Sequence, residues 1–323
     1  MHQEARAFWV TAPGHGEIRQ ERLATPARDE VVVRTVYSGI SRGTEALVFG
    51  GRVPASEWQR MRAPFQVGDF PAPVKYGYAS VGIVEQGPPE LTGRAVFALY
   101  PHQTRYLVPA GAVHALPDAV PLSRAVLAAN METALNGVWD ARPHVGDRIA
   151  VVGAGTVGCL TAWLASRIEG CRVELVDLNP RRAETAAALN VRFAGPQSAT
   201  TDADVVIHAS GSPAGLELAL SLAGTESTIT ELSWFADKRV SLSLGGAFHA
   251  RRLTVASSQV GTIPAAQRAR WTTTRRMQLA LSLLADPALD TLITGESEFE
   301  TLPEVMATLA GAAGEALCHR IRY

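Results

Sequence analysis

The chain has 323 residues, of which 47% are hydrophobic and 19% are charged, and its formal net charge is −1. This length predicts two domains with a sizeable core, and the near-zero charge leaves no electrostatic case for binding nucleic acid or an anionic membrane. No stretch approaches the ~18 continuous apolar residues that a membrane span requires, and the first residues lack the apolar core of a signal peptide. We therefore expect a cytoplasmic protein.

Residues 1–120 contain short apolar or alternating runs separated by glycine and proline turns. Such a succession is typical of a compact, β-rich, barrel-like domain. The predicted strands are Ala7–Val10, Glu30–Ser38, Ala79–Gln86, Arg94–Tyr100 and Gln103–Pro109. Between them, Gly50–Phe70 is rich in Arg, Pro and Gly, and we expect it to be irregular with one helical turn at most.

Helical and strand patterns alternate from residue 123 onward, which is typical of a doubly wound parallel sheet with right-handed crossovers. The predicted elements are Ser123–Trp139, Arg148–Val152, Cys159–Ile168, Val173–Val176, Pro180–Leu189, Val191–Ala194, Asp204–Ser210, Leu216–Leu222, Thr228–Ser233, Ser241–Phe248 and Leu253–Ser258. The tail then adds two helices, Thr273–Leu284 and Leu302–Leu309, and two strands, Leu292–Thr294 and Ala316–Tyr323. This exceeds what the sheet needs, so we expect residues 263–323 to return to a first domain of residues 1–120, with residues 121–262 forming the second domain.

The strongest functional signal is a glycine-rich turn between a predicted strand and a predicted helix. Gly153, Gly155 and Gly158 form G-x-G-x-x-G, and the second strand of this unit ends on Asp177. In a dinucleotide-binding fingerprint the first glycine permits the tight turn, the second leaves room for the pyrophosphate and the third lets the helix pack on the sheet. The phosphates bind at the positive helix terminus, and the acid accepts the ribose hydroxyls. The alternative is a domain of the same fold that binds no dinucleotide.

The same motif predicts which nucleotide is bound. The charge of Asp177 repels a 2′-phosphate and favours NAD, whereas Arg182 could bind such a phosphate, which leaves NADP open. Arg182 could equally be a solvated residue of a first helical turn. The residues expected to contact the cofactor are Gly153, Gly155, Thr156, Val157, Gly158, Asp177, Leu178, Arg182, Ser210 and Gly211.

Taken together, the order of parts and several motifs resemble the medium-chain dehydrogenase/reductase superfamily of alcohol dehydrogenase type. The motifs are Gly39–Glu45, Tyr76–Val84, Ala128–Ala134, Val145–Asp147 and the glycine turn. The residues of the first two motifs are most similar to those of the branch that contains bacteriochlorophyllide a dehydrogenase. The resemblance implies an α/β protein with a GroES-like β-rich barrel domain and a Rossmann domain with a doubly wound parallel sheet.

The chain departs from that superfamily where its zinc members hold their metal. Aligned on the motifs, Arg42 falls on the first ligand, a cysteine, and Tyr78 falls on the second, a histidine. The third ligand corresponds to about Ala129 or Asn130, and the four-cysteine lobe for structural zinc is missing. Because a catalytic zinc needs three N, S or O ligands, we predict no zinc. A different metal site, built from Glu45, Glu132 and a histidine, stays open.

Without zinc, hydrogen-bond donors must stabilise the substrate oxygen. Tyr78 can donate from its phenol or act as general acid, Arg42 can hold an oxyanion, and Thr44 stands where zinc relatives carry their proton-relaying hydroxyl. The candidate catalytic residues are Tyr78, Thr44, Arg42, Asn130 and Glu132. Tyr78, Arg42 and Glu132 have structural alternatives: a buried tyrosine with a satisfied hydroxyl, a salt-bridging arginine, and a glutamate that pairs with a neighbour.

Two histidines lie close to predicted functional positions. His102 lies between two predicted strands, and we expect it to face solvent in a loop rather than reach the substrate. His208 lies late in the strand Asp204–Ser210, near the sheet edge where dinucleotides bind. We expect it to be a buried core histidine.

The resemblance and the motifs predict a zinc-independent NAD(P)-dependent oxidoreductase that transfers a hydride between nicotinamide and an alcohol/ketone pair. The alternatives are reduction of a quinone or an enone, and a non-catalytic nucleotide-binding sensor, because a fold does not guarantee an activity. We expect a small-molecule substrate, no nucleic acid or membrane partner, and a homodimer joined at the edge of the Rossmann sheet.

Overall fold

The computed structural model of the protein describes residues 3–311 and 316–323. As far as these residues go, the chain divides into two compact units. One unit comprises Met1–Ala129 and Met277–Tyr323, and the other comprises Asn130–Arg276. The domain boundaries that the sequence predicts at residues 120 and 262 stay a prediction.

The first unit is rich in antiparallel strands. Its N-terminal part contains β1 (Gln3–Ala12), β2 (His15–Leu23), β3 (Glu30–Ser41), α1 (Arg42–Phe49), β4 (Val67–Gly68), β5 (Val74–Lys75), β6 (Ser80–Gln86), β7 (Ala95–Ala98), β8 (Arg105–Pro109), β9 (Val113–Ala115) and α2 (Leu122–Ala125). One sheet has the order β2-β1-β5-β4. The predicted irregular stretch carries a single short 3₁₀ turn, Ala55–Glu57.

Strand β3 organises this unit because it pairs with both β6 and β8. Its apolar side chains Val31 and Val33 are fully buried and pack with Val84, Val96 and Tyr106. Burying each such side chain contributes about 1.5–3 kcal/mol. The end of β3 passes directly into α1, so packing of the strand fixes the position of the residues that begin the helix.

The second unit is built on a parallel sheet. Its elements, with the helices that span its two chain boundaries, are α3 (Ala128–Ala141), β10 (Arg148–Val152), α4 (Thr156–Ala165), β11 (Arg172–Val176), α5 (Arg182–Ala188), β12 (Arg192–Ala194), β13 (Ala203–His208), α6 (Pro213–Leu222), β14 (Ala223–Glu231), β15 (Thr254–Ser257) and α7 (Thr273–Leu283). The strand order is β12-β11-β10-β13-β14-β15, and all pairs are parallel.

This order reverses direction beside β10, which makes the carboxyl ends of β10 and β13 the switch point where doubly wound folds bind ligands. The apolar face of the sheet packs against α6, with Val152, Val206 and Ile229 meeting Leu216 and Leu220. This packing holds the ends of the strands in place. The glycine turn and the start of α6 therefore lie at the same edge of the sheet.

The tail completes the first unit. It contributes β16 (Ile293–Glu298), α8 (Leu302–Gly311) and β17 (Cys318–Arg322). Strand β17 pairs antiparallel with β3 and parallel with β16, which extends the larger sheet to seven strands. These pairings and the parallel sheet confirm the predicted α/β fold class.

Two element predictions need correction. The helix predicted over Ser123–Trp139 is two helices, α2 and α3, separated at Val126 and Leu127. Ser241–Phe248 was expected to be a strand, but Leu244–Phe248 forms a short helical turn. Gly245 and Gly246 explain the failure, since glycines provide no side chain to pack on a sheet face and have low strand propensity. Helix α1 was not predicted. In the described part of the chain, no helix has the length and apolar character needed to cross a membrane.

Candidate active site and dinucleotide site

The three glycines of the turn after β10 meet different surroundings. Gly153 has a φ of +109°, and a Cβ atom there would lie 2.6 Å from the backbone nitrogen of Ser210. A Cβ atom on Gly158 would lie 1.8 Å from the carbonyl oxygen of Gly153. Gly155 is exposed, and a Cβ atom there would meet nothing within 4 Å. The first and third glycines are thus required by the protein itself, while the second leaves open space for a ligand.

Helix α4 begins at Thr156 with Gly155 as its N-cap. The first intrahelical hydrogen bond is donated by the Cys159 nitrogen to the Gly155 oxygen at 2.9 Å. The backbone N–H groups of Thr156 and Val157 precede this bond, at the positive end of the helix dipole. Both residues are half-buried. This terminus is suited to bind a phosphate.

Asp177 lies where the fingerprint predicts, directly after β11. Its carboxylate accepts hydrogen bonds from the Ala154 nitrogen at 2.7 Å and the Asn179 nitrogen at 2.8 Å. These bonds hold it beside the glycine turn, and each oxygen keeps a free lone pair for a ribose hydroxyl. Leu178 is 80% exposed, whereas Arg182 is only 7% exposed. The residues present therefore fit the adenosine half of a dinucleotide.

Ser210 and Gly211 follow β13 at the same sheet edge. Ser210 is exposed, and the Gly211 nitrogen donates a hydrogen bond to the Ser233 hydroxyl at 3.0 Å. His208 is fully buried, which confirms that part of its prediction. The sequence reasoning missed its partner Glu231, which stands opposite His208 in the register of β13 and β14.

In the first unit, the Tyr78 phenol lies beside the side chains of Ser41 and Thr44, at the junction of β3 and α1. Burial raises the pKa of the Tyr78 phenol well above its ordinary value, and the nearby Glu45 carboxylate raises it further. The two neighbouring hydroxyls oppose this shift. The phenol consequently keeps its proton across the physiological range and is a hydrogen-bond donor rather than a phenolate base.

A buried chain of hydrogen bonds continues from this point. The Glu45 carboxylate accepts from the Ser41 nitrogen at 2.8 Å and contacts His102 Nε2 at 2.8 Å. His102 Nδ1 in turn lies 2.7 Å from the Ser38 hydroxyl, which lies 2.9 Å from the Tyr323 hydroxyl.

The prediction of a solvent-facing His102 was wrong, because this side chain is 1% exposed. A buried carboxylate needs polar partners, and the imidazole of His102 supplies one. Gly77 allows the close approach: its φ is +132°, and a Cβ atom there would lie 3.0 Å from the ring. The glycine before Tyr78 was the available signal that something packs closely at this point.

The remaining candidate residues divide between the units. Arg42 is half-buried at the first residue of α1, in the same unit as Tyr78 and Thr44. Asn130 and Glu132 are buried in α3 and belong to the second unit. Glu132 accepts a hydrogen bond from Arg276 Nε at 3.1 Å, and the same guanidinium contacts Asn136. Burial raises the pKa of Glu132, and Arg276 partly offsets that shift.

The donor set at the expected metal position is poor. Among residues 3–311 and 316–323, no three His, Cys, Asp or Glu side chains come together in a way that could hold a metal ion. Glu45 and His102 are the acidic and imidazole groups close to Tyr78, and they are hydrogen-bonded to each other. The residues present do not fit a three-ligand catalytic zinc.

The comparisons with known proteins bear on the class. No protein-family model matches the chain. D-guloside 3-dehydrogenase of Escherichia coli K12 is 25% identical, over 91% of this chain and 93% of that protein. The structure of L-idonate 5-dehydrogenase from Escherichia coli has a TM-score of 0.81 at 14% identity, covering 100% of this chain and 99% of that one. A Sinorhizobium meliloti 1021 dehydrogenase solved with NADP has a TM-score of 0.79 at 17% identity, covering 99% and 100%.

These likenesses extend over essentially the whole of each protein. They confirm the resemblance to medium-chain, alcohol dehydrogenase-like enzymes, and with it the prediction of a dehydrogenase of that class. The similarity of the first two motifs to the bacteriochlorophyllide a dehydrogenase branch stays a prediction.

Proposed function

We propose that the chain is an NAD(P)-dependent dehydrogenase that interconverts a secondary alcohol and a ketone without zinc. The observation that carries the proposal is the group at the aligned ligand positions. Tyr78 stands where zinc members have a histidine, and the side chains beside its phenol include the hydroxyls of Ser41 and Thr44. A neutral donor of this kind can stabilise a developing alkoxide.

We propose NAD as the preferred cofactor. The phosphates would bind at the Gly155 turn and the start of α4, and the Asp177 carboxylate would accept the ribose hydroxyls. When bound, the nicotinamide supplies the hydride acceptor. The charge of Asp177 disfavours a 2′-phosphate, and the low exposure of Arg182 leaves little of this cation accessible to bind one.

We further propose that the substrate is polyhydroxylated. The names of two relatives refer to D-guloside and L-idonate, and one of these proteins aligns over 91% of this chain. The substrate is expected to place its reacting oxygen near the phenol of Tyr78. Thr44, whose hydroxyl lies beside that phenol, is positioned to pass the proton onward, and Arg42 of the same unit is a further candidate for contact.

For oxidation of the alcohol, the Tyr78 phenol would take the hydroxyl proton of the substrate while it passes its own proton to Thr44, and bound nicotinamide would supply the hydride acceptor. The high pKa of Tyr78 suits the reverse direction, because a protonated phenol can donate to a ketone oxygen as charge develops on it. The hydroxyls of Thr44 and Ser41 then orient the phenol. The buried Glu45 and His102 hold the start of α1, where both hydroxyls originate.

The experiment combines metal analysis with kinetics. Purified full-length protein is assayed with NAD⁺ against polyols and sugars, and with NADH against ketones, enones and quinones. We expect turnover on the polyols, below-stoichiometric zinc and no loss of activity after chelation. Stoichiometric zinc would contradict the metal-free site. Turnover on enones or quinones alone would favour a reductase, and binding without any turnover would favour a sensor.

Tyr78→Phe tests the role of the phenol. We expect kcat/KM to fall by about 10²–10⁴-fold, the contribution of a positioned acid–base group, while NADH affinity is unchanged. Tyr37→Phe is the matched control, since the Tyr37 ring stacks beneath Arg320 and lies in the same unit. An unchanged kcat/KM for Tyr78→Phe would remove this residue from the site.

We also propose a homodimer joined at the free edge of the parallel sheet. Strand β15 is one of the two edge strands of this sheet, and all four of its residues are exposed. None of them is charged. An uncharged exposed edge is open to pairing with a second copy.

A further inference from the structure

A second group of reactive side chains lies at the carboxyl edge of the parallel sheet. His208 is the last residue of β13 and Glu231 is the last residue of β14. The register of these parallel strands pairs the two residues directly. Ser210 follows His208 by two positions, where the chain leaves the sheet.

The three side chains form one hydrogen-bonded line. The Ser210 hydroxyl lies 2.6 Å from His208 Nε2, and His208 Nδ1 lies 2.6 Å from the Glu231 carboxylate. The other Glu231 oxygen accepts from the Ser233 nitrogen at 2.7 Å, which fixes the carboxylate. A serine, an imidazole and an acid in this order are the parts of an activated nucleophile.

The accessibility of the three groups matches those roles. Ser210 is exposed, His208 is 0% exposed, and the Glu231 side chain is 12% exposed. Ser210 is therefore the member of the line that lies at the surface, and its hydroxyl also accepts a hydrogen bond from the Ser212 nitrogen at 3.2 Å, while its base and the group that orients the base are largely buried.

The start of α6 supplies donors for developing negative charge. Leu216 donates the first intrahelical hydrogen bond, to the Ser212 oxygen at 3.1 Å. The N–H groups of Ala214 and Gly215 precede that bond, at the positive end of the helix dipole. A Cβ atom on Gly215 would lie 2.1 Å from the Ser210 hydroxyl oxygen and 2.9 Å from His208 Nε2. The absence of a side chain there lets the helix terminus contact the serine.

We propose that Ser210, His208 and Glu231 form a nucleophilic serine site that reacts with small activated acyl esters, separate from hydride transfer. The Ser210 oxygen attacks the ester carbonyl carbon while its proton moves to His208 Nε2. The carbon–oxygen bond to the alcohol then breaks, and the alcohol leaves with that proton. Water subsequently hydrolyses the acyl-serine, releasing the carboxylic acid and regenerating the hydroxyl.

The test uses the cofactor-free, full-length protein, so its result does not depend on the proposed dehydrogenase activity. A fluorophosphonate probe is added, and the modified residue is identified by peptide mass spectrometry. We expect the probe on Ser210. With p-nitrophenyl acetate we expect a burst of p-nitrophenol of about one equivalent, the sign of an acyl-enzyme, which Ser210→Ala abolishes.

Substitutions of the two supporting groups provide the second readout. Glu231→Gln keeps a hydrogen-bonding side chain but removes the charge, and we expect the labelling rate to fall by 10²-fold or more, by analogy with loss of the acid in known triads. Ser221→Ala is the matched control, because Ser221 is an exposed serine of α6 whose hydroxyl donates to the Leu218 oxygen at 2.7 Å. We expect it to label at the wild-type rate.

The outcomes are distinguishable without relying on any variant that fails to fold. The absence of probe on Ser210 in the wild-type protein overturns the proposal, and so does a Ser210 labelling rate that Glu231→Gln leaves unchanged. Neither result affects the dehydrogenase proposal, which is measured by oxidation of alcohols with NAD⁺.

Discussion

At the scale of single residues, Gly155 and Gly158 separate what a ligand requires from what the fold requires. Gly158 is in contact with the backbone of Gly153, so a methyl group there has no room. Gly155 has open space around its Cα and an ordinary φ of −74°. An alanine at Gly155 is thus compatible with the backbone, but it would project toward the position of the pyrophosphate.

The paired substitutions test the dinucleotide site. We expect Gly155→Ala to keep the wild-type melting temperature while weakening NADH binding at least about tenfold, about 1.4 kcal/mol. We expect Gly158→Ala to lower the free energy of unfolding by about 1–3 kcal/mol or more, the cost of forcing atoms into a packed site. Thermal melts and fluorescence titrations with NADH and NADPH measure both effects, and NADH is expected to bind more tightly. Equal NADH affinity of wild type and Gly155→Ala would contradict the site.

The buried contact between Glu45 and His102 makes a second prediction at this scale. Removing either partner leaves a polar group without a hydrogen-bond partner at a position that is at most 3% exposed. This loss costs about 1–3 kcal/mol, and more for a charged group. Replacing both residues by leucine leaves neither polar side chain unpaired. In a double-mutant cycle of Glu45→Leu and His102→Leu, we expect the double variant to be less destabilised than the sum by at least about 1 kcal/mol. Additive losses in urea denaturation would show that the two side chains do not interact.

At the scale of elements, a buried ionic contact joins helix α7 to helix α3. Arg276 in α7 reaches Glu132 in α3 and also donates to the Val260 oxygen at 2.7 Å. This arrangement gives Glu132 a structural role whether or not the residue also contacts substrate. The charged form of Glu132 is nevertheless disfavoured, because burial outweighs the attraction of Arg276 and raises its pKa.

The raised pKa of Glu132 predicts a pH dependence of stability. The native state binds this proton more tightly than the unfolded state does, so its stabilising effect is present at acid pH and lost as pH rises through the native pKa. Glutamine cannot titrate. We therefore expect Glu132→Gln to gain stability relative to wild type as pH rises from 4 to 7, measured by urea denaturation at each pH.

Asp204→Asn is the control of opposite sign for this prediction. Hydrogen bonds from Arg148 lower the pKa of Asp204, so its contribution is present at neutral pH and lost in acid. The asparagine variant should thus lose stability relative to wild type as pH rises from about 2 to 5, the range in which the unfolded and native carboxyls titrate. Two variants that drift in the same direction would contradict the assignment.

At the scale of the whole molecule, the free sheet edge at β15 is the feature that predicts association. Val255 is 38% exposed in the middle of this uncharged strand. We expect wild-type protein to have twice the mass of one chain by light scattering, and Val255→Lys to shift it toward the monomer by placing like charges opposite each other. A wild-type monomer would overturn the homodimer, and an unchanged Val255→Lys dimer would place the interface elsewhere.

The sequence alone was sufficient for the features encoded locally. The Gly153–Asp177 unit was predictable from the glycine spacing, the strand before it and the acid after it. Each of these positions is constrained by residues close to it in the chain. The alternation of strand and helix patterns likewise predicted the parallel sheet, because such patterns are also local in the chain. The strand predicted over Ser241–Phe248 is instead a helical turn at Leu244–Phe248, where Gly245 and Gly246 lower the strand propensity.

Tertiary structure alone decided which distant polar groups meet. The burial of His102 depends on Glu45 and Ser38, which lie 57 and 64 positions away in the chain, and no local pattern carries that information. The same holds for His208 and Glu231, which become partners only through the register of two parallel strands. Backbone conformation and periodicity are short-range properties of the chain, whereas the pairing of buried polar groups is set by the packing of the whole fold.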